Sequence, residues 1–513
     1  MLFSRMPFLL LFSPLILQTP PFSPPLPAPT SPGHWRIVGG QVADGTGGKL
    51  RSVEIRIVGD TIVEVGKHLK PHRDELTIRA DGLVVAPGFI DAHSHADGGL
   101  KEDPLAETQI RQGITTAIVG QDGGSNVPLS EWFDSVEKTQ IALNVASFAG
   151  HGTARGSVIG KENRPATPEE IVKMKAFVER EMKAGALGLS TGLEYVPGRY
   201  GDTAEVIALA QTASEWGGLY ISHVRNEDNT VFSAFEELRT IAERAHLPAQ
   251  ISHIKLGSAK VWGKTGEVFR LMSEGKKRGL DISADVYPYT YWQSTIRVII
   301  STEDFGDRKL WEAGLADVGG AGNVRLTTYS PDKAWEGKTL AEIAALTGKE
   351  AITLAQEIVE NTKDGKGRES VVVTAMSEDD LRQFVADPRI MFCSDGGLHP
   401  SHPRGAGTFP RILGEYVRVQ HTLSLVEAIR KMTSLPAKRF GLSDRGRIAP
   451  GMKADLVIFD PNTVQDTATV QNPASAPLGI KRVIVNGVSV LEEGKETGAR
   501  PGRALRKSNS KRH

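Results

Sequence analysis

The chain has one cysteine, Cys393, in 513 residues. A single thiol cannot form an intrachain disulfide, and it rules out a cysteine-rich zinc cluster. The chain also lacks a surplus of either charge, with Lys+Arg and Asp+Glu at 61 each. Nothing global therefore draws it to nucleic acid or to an anionic membrane surface, and no basic patch or amphipathic run over 87–445 adds a local reason. The apolar run 8–17 is too short to span a bilayer, so no stable membrane span is expected. No internal repeat stands out.

The composition, 40% hydrophobic and 24% charged, is that of a globular protein. At 513 residues the chain exceeds one compact core, so one large domain with a satellite is expected. Arg5 precedes the apolar run, and a Pro-rich stretch follows it up to Gly33. A charge, a short apolar core and a polar exit are the layout of a secretory signal. Residues 1–33 are read as a signal-like or disordered leader and the protein as exported, periplasmic or secreted. It is cytoplasmic if the leader is not a signal, and Pro14 and the lack of a small-x-small cleavage site keep that alternative open.

From Trp35 onward, short alternating segments broken by Gly and Asp predict antiparallel strands with tight turns. The same texture returns near the other end, at 455–459 and 482–487. One small β-domain, a β-sandwich, is therefore expected from 34–86 and 446–495, followed by a basic tail over 496–513. Between them strands and helices alternate. Candidate strands are 89–90, 116–119, 143–148, 187–190, 219–222, 250–252, 282–286 and 391–394. Their continuous apolar character suits parallel strands buried on both faces. Thr167-Pro168-Glu169-Glu170 opens a helix as a capping box with Pro at the first position, and Gly185 stops it. Eight such units predict an α/β fold, a (β/α)8 TIM barrel over 87–445. Residues 302–369 are too many for one connection and are expected to form an inserted subdomain between strands seven and eight.

In such a barrel an active site belongs at the C-terminal ends of the strands. Strand one ends in Asp91-Ala92-His93-Ser94-His95, where residues two apart point the same way. Strand five ends at His223, strand six at His253 and strand eight at Asp395. Each histidine alone is more often structural than a ligand. The set of four, in strand order with a carboxylate, suits a divalent metal such as zinc, one or two ions.

The same order resembles the amidohydrolase superfamily. Several longer stretches resemble its N-acyl-D-amino-acid deacylases: Gly188-Leu189-Ser190-Thr191-Gly192-Leu193, Asp285-Val286-Tyr287-Pro288-Tyr289 and His402-Pro403-Arg404-Gly405. The resemblance implies a metal-dependent hydrolase cleaving the amide of N-acyl-D-amino acids, with His93, His95, His223 and His253 as metal ligands. It implies that Asp395 is both ligand and proton carrier. A dipeptidase or cyclic-amide hydrolase on the same site, or a non-catalytic relative, stays open.

One position departs from the family. Its best-known members carry a metal-binding cysteine in Gly-Asn-Cys-Gly after strand two, where this chain reads Gly120-Gln121-Asp122-Gly123. Asp122 is the direct replacement. Glu194, after strand four, is the preferred ligand on reach and topology, because Asp in a Gly-rich turn is often only a turn former. The substrate's carboxylate calls for Arg, Lys or Tyr donors. The resemblance offers Lys255, Tyr195, Tyr289 and Arg404, with Tyr289 preferred over Tyr287, and His151 is a further residue expected at the mouth.

Overall fold

The computed structural model describes residues 33–300, 302, 304–508 and 511. The signal-like leader therefore lies outside the described residues, apart from Gly33. Eight parallel strands follow one another in space in the order of the chain. Phe89–Asp91 pairs with Ile114–Val119, and that strand with Asn144–Ser147. The third strand resumes at Ala149–Gly150 beside Gly188–Gly192, followed by Leu219–His223, Ala249–Ile251, Ile282–Val286 and Ile390–Phe392. The last strand returns to the first: Ala92 N–H donates to Phe392 O (3.3 Å) and Asp395 N–H to His93 O (2.9 Å). All eight sites of strand-to-strand contact are thus occupied, and the strands are buried throughout, as their unbroken apolar runs predict.

Helices separate the strands. Pro168–Ala184 begins with the expected box, in which Thr167 and Glu170 cap each other, and Met174, Val178 and Met182 face the core. Gly185 ends it at φ 109°. A Cβ there would lie 2.7 Å from Arg506 Cβ, so this glycine also admits the end of the chain.

The two outer regions pair with each other. Val84–Pro87 runs antiparallel to Leu456–Phe459 in a six-stranded sheet. A four-stranded sheet with His34–Val38 at its middle packs on it, sharing a core of Trp35, Ile55, Ile57, Val85, Leu456 and Ile484. Asp455 locks this unit to the ring. Its carboxylate accepts from Asn486 N–H (2.6 Å) and Asn144 Nδ2 (3.2 Å) and pairs with buried Arg445.

Two boundaries differ from expectation. The insertion begins at Tyr291, not at residue 302, and ends at Thr374, not 369. Tyr291–Ser294 and Glu369–Thr374 pair with each other and, with Val324–Tyr329, form a separate sheet. Helices Arg308–Asp317, Leu340–Thr347 and Ala351–Thr362 close its own core around Trp311, Leu326 and Ile358. The stretch read as a basic tail is also ordered through residue 508 in part by backbone pairing. Gly502 N–H donates to Ile141 O (2.7 Å), Leu505 N–H to Val145 O (2.7 Å) and Lys507 N–H to Gly185 O (3.0 Å), at the end of the ring opposite the site. Among the described residues no helix is long and apolar enough to cross a membrane.

Candidate metal centre

The strand ends deliver their polar residues to one point. Asp91, at the end of the first strand, accepts from Ser394 N–H (2.7 Å) and so ties the first strand to the eighth beneath His93 and Asp395. Burial pushes this carboxyl up to about 7. On the sixth strand Asp285 accepts from His253 N–H (2.7 Å). Asp122, His253 and Asp395 have positive φ values of 54°, 32° and 46°. Backbone in that region is uncommon outside glycine and gathers at functional sites.

Asp122 occupies the middle. Its Oδ2 lies 3.2 Å from His95 Nε2, and its Oδ1 lies 3.4 Å from His93 Nε2 and 3.5 Å from His253 Nε2. Asp395 Oδ1 stands 3.2 Å from His95 Nε2 and 3.6 Å from His93 Nε2. His223 Nδ1 faces His253 Nε2 at 3.0 Å, and His223 Nε2 meets Glu194 Oε2 at 2.7 Å. Three groups of donors result: His93, His95, Asp122 and Asp395; Asp122, His223 and His253; and Glu194, His223 and Glu227. Only Asp122 belongs to both of the first two.

These donors fit a divalent cation. Nε2 of His93 and Oδ1 of Asp122 are buried without a hydrogen-bond partner, which is costly unless an ion satisfies them. The electrostatics agree. Burial alone would raise the Asp122 carboxyl, but the adjacent His93 imidazole holds it well below the usual carboxylate range. Against the same burial, the Arg404 guanidinium does this for Asp395. The donor set is nitrogen and oxygen only, because Cys393 is buried and lies outside all three groups.

A cavity of about 1030 Å³ opens over the cluster and reaches the insertion. Lys255, Tyr195 and Arg404 line it. Arg404 Nη2 contacts Asp395 Oδ2 at 3.0 Å, and Lys255 Nζ donates to Glu227 Oε1 at 2.6 Å. Tyr195 OH lies 3.3 Å from His223 Nδ1.

Three expectations need correction. The carboxylate shared between the two histidine groups is Asp122; Glu194 touches His223 alone among the histidines. The left-handed turn aims the short Asp122 side chain inward, so its length is no obstacle. Tyr289 does not line the cavity. Its hydroxyl donates to Asp466 Oδ2 (3.2 Å), and Tyr287 takes the position between Lys255 and Arg404, its buried hydroxyl without a partner. His151 is also absent from the cavity wall: it is buried and its Nε2 meets Glu205 Oε1 at 2.7 Å. Glu227 was not singled out. Its place four residues after His223 was the available signal, since carboxylates commonly orient metal-binding histidines, and Oε1 lies 3.1 Å from His253 Nδ1.

Residues 76–491 match the amidohydrolase family. An N-acyl-D-glutamate deacylase of Alcaligenes xylosoxydans xylosoxydans is 34% identical, over 92% of this chain and 96% of that one. A D-aminoacylase of the same organism is also 34% identical, over 91% and 96%. A crystal structure of an N-acyl-D-glutamate deacylase from Bordetella bronchiseptica, complexed with zinc and a phosphonate inhibitor that mimics the tetrahedral intermediate, superposes with a TM-score of 0.82. It is 31% identical and covers 93% of this chain and 100% of its own. The chain belongs to the amidohydrolase family, and within it to the N-acyl-D-amino-acid deacylases.

Proposed function

We propose that this protein hydrolyses the amide bond of N-acyl-D-amino acids to a carboxylate and a free D-amino acid. The observation that carries the reading is Asp122 standing between two histidine groups on the floor of a cavity rimmed by Lys255, Tyr287 and Arg404. His93, His95, Asp122, His223 and His253 would hold one or two divalent ions, zinc first, with Asp395 and Glu194 at the edges of the centre. A bound ion supplies Lewis acidity at the carbonyl and lowers the pKa of water from ~15.7 towards ~7.

The chain's own groups do the rest. Asp395 lies beside His95 and is held as a carboxylate, so it takes the proton of the attacking water and hands it to the departing amine. Arg404 keeps Asp395 oriented and, with Lys255 and Tyr287, offers donors for the substrate's free carboxylate. Glu227 pairs with Lys255, and both meet His253 Nδ1 (Oε1 at 3.1 Å, Nζ at 2.7 Å), so together they hold the ring with Nε2 towards Asp122.

The finer architecture supporting this reading is a closed (β/α)8 barrel with a small β-sandwich from both ends of the chain and an insertion roofing the site. Export through the leader belongs to the same proposal, and N-terminal sequencing of the mature protein tests it. Metal analysis of purified protein, paired with turnover of N-acetyl-D- and N-acetyl-L-amino acids, tests the function. Metal above trace level with D-selective cleavage is expected; cleavage of the L-series alone overturns the substrate assignment.

A further inference from the structure

The segment His402-Pro403-Arg404-Gly405 lends Arg404 to the site, while its histidine has no part in the chemistry derived above. His402 is buried, with the rings of Tyr287, Tyr289 and Tyr291 at centroid distances of 6.2, 5.7 and 4.7 Å. Both of its nitrogens are engaged. Nε2 lies 3.0 Å from Tyr291 O, and Nδ1 lies 3.0 Å from Arg404 N. A carbonyl oxygen only accepts and a backbone N–H only donates. The ring therefore carries its proton on Nε2 and keeps the Nδ1 lone pair for Arg404. Burial, with the Arg404 charge beside it, pushes the imidazole well below its usual value, which keeps the ring neutral.

Each bond has its own origin. Arg404 opens the helix Arg404–Arg411, and the first N–H groups of a helix have no partner within it. A side-chain oxygen at the preceding position commonly fills that need, but the position is held by Pro403, which has none. His402 Nδ1 fills it from one residue further back. Tyr291 opens the insertion's first strand and pairs with Thr374, where the insertion ends. Beside it Gln293 Nε2 donates to Ser401 Oγ (2.6 Å), so that strand holds the segment 401–404 at two points. The Arg404 side chain is aimed with equal care. Its Nε donates to Asp395 O (2.9 Å), Nη2 stands 3.0 Å from Asp395 Oδ2, and Cζ lies 4.7 Å over the Tyr287 ring. A planar guanidinium meets a carboxylate by direction as well as distance, so a shift at the helix start turns the fork away.

We infer that His402 is a positioning residue for the reaction: from the root of the insertion it holds the Arg404 backbone, and through it the guanidinium that meets Asp395 and the substrate's carboxylate. This rests on the hydrolase reading above. The Tyr291 bond sets the tautomer, and the Arg404 bond does the positioning. Two substitutions separate the bonds. Glutamine reaches where Nε2 stands and can donate to Tyr291 O, but it offers no acceptor at the place of Nδ1. Asparagine puts its oxygen near that place, where it accepts from the N–H two residues on, and it is too short for Tyr291 O.

The test measures kcat/KM of metal-loaded enzyme on N-acetyl-D-amino acids, with circular dichroism and thermal melts for each variant. His402→Gln should lower kcat/KM about tenfold, the worth of one hydrogen bond. His402→Asn should stay within about threefold of wild type. A role in packing alone gives the reverse order, because asparagine fills less of the ring's space than glutamine. Wild-type kinetics in His402→Gln, or a loss in His402→Asn as large as that in His402→Gln, overturns the positioning role while the hydrolase reading stands. Were His402→Gln not to fold, His402→Asn decides alone: kinetics near wild type support the role, and a loss of about tenfold overturns it. If the wild-type enzyme cleaves no D-substrate, the hydrolase reading falls and this inference with it.

Discussion

Asp122 reaches from a left-handed turn after the second strand to within 3.2 Å of His95 Nε2, while its other oxygen faces His93 and His253. One carboxylate thus spans both histidine groups. Asp122→Asn should sharply reduce metal occupancy, because an amide is a poorer ligand and leaves the site's positive charge less balanced. Glu194→Gln, which among the site's histidines changes a partner of His223, should lose less. Metal titration with circular dichroism checks both, and a larger loss in Glu194→Gln would reassign the shared position.

Asp395→Asn should keep the metal and lose about 10²–10⁴-fold in kcat, since the amide cannot carry the proton. Steady-state kinetics beside metal analysis separates this from loss of the ion. Unchanged turnover removes Asp395 from the chemistry.

Tyr287→Phe should raise KM up to about tenfold, removing a cavity-lining hydroxyl that has no partner within the protein and is free to meet the substrate. Tyr289→Phe should leave the kinetics unchanged and lower stability by about 1 kcal/mol, because its hydroxyl bonds Asp466 and not the cavity. Kinetics and thermal melts on the two variants distinguish them.

The residues that sequence reasoning brought together stand at or just past the ends of strands. His223 closes its strand, whereas His93, His95, His253 and Asp395 follow Asp91, Ile251 and Phe392 by a few residues, and the apolar runs before them mark where each strand stops. Beyond that point the turns decide where a side chain goes. The seventh strand stops at Val286, so alternation carries Tyr287 and Tyr289 no further, and one enters the cavity while the other turns to Asp466. His151 begins the helix His151–Val158, which rotates it away from the mouth towards Glu205. Asp122 depends on a turn conformation that its glycine neighbours permit and do not reveal. The insertion's first strand, Tyr291–Ser294, is half-buried along its length, without the alternation that marks a strand.

Asp455→Ala should cost about 3–5 kcal/mol, since it strands the buried Arg445 charge and frees Asn486 and Asn144 from their shared acceptor. Denaturant unfolding reads this directly. A loss below 1 kcal/mol would show that Arg445 finds another partner.

Lys431 gives a pH signature away from the site. It is fully buried, with Nζ donating to Asp387 O (2.8 Å), and burial pushes its ammonium down to about 7. Between about 7 and its ordinary value of 10.5 the unfolded chain binds a proton that the folded one does not. This group therefore adds stability as pH rises through that window, and the gain is lost as pH falls towards 7. Relative to Lys431→Met, the wild-type melting temperature should climb from pH 7 to 10; parallel curves would refute the shift.

The pairing of Val84–Pro87 with Leu456–Phe459 sets a timetable for synthesis. The first strands emerge from the ribosome long before their partners exist, with most of the chain still to be made. They wait with a bare hydrogen-bonding edge and apolar Val84 and Val85 unpaired, a state prone to wrong association. Slow translation of the middle of the chain prolongs that exposure, whereas early closure of the strands between shortens the search once residue 459 appears, by bringing the waiting edge close to where its partner emerges.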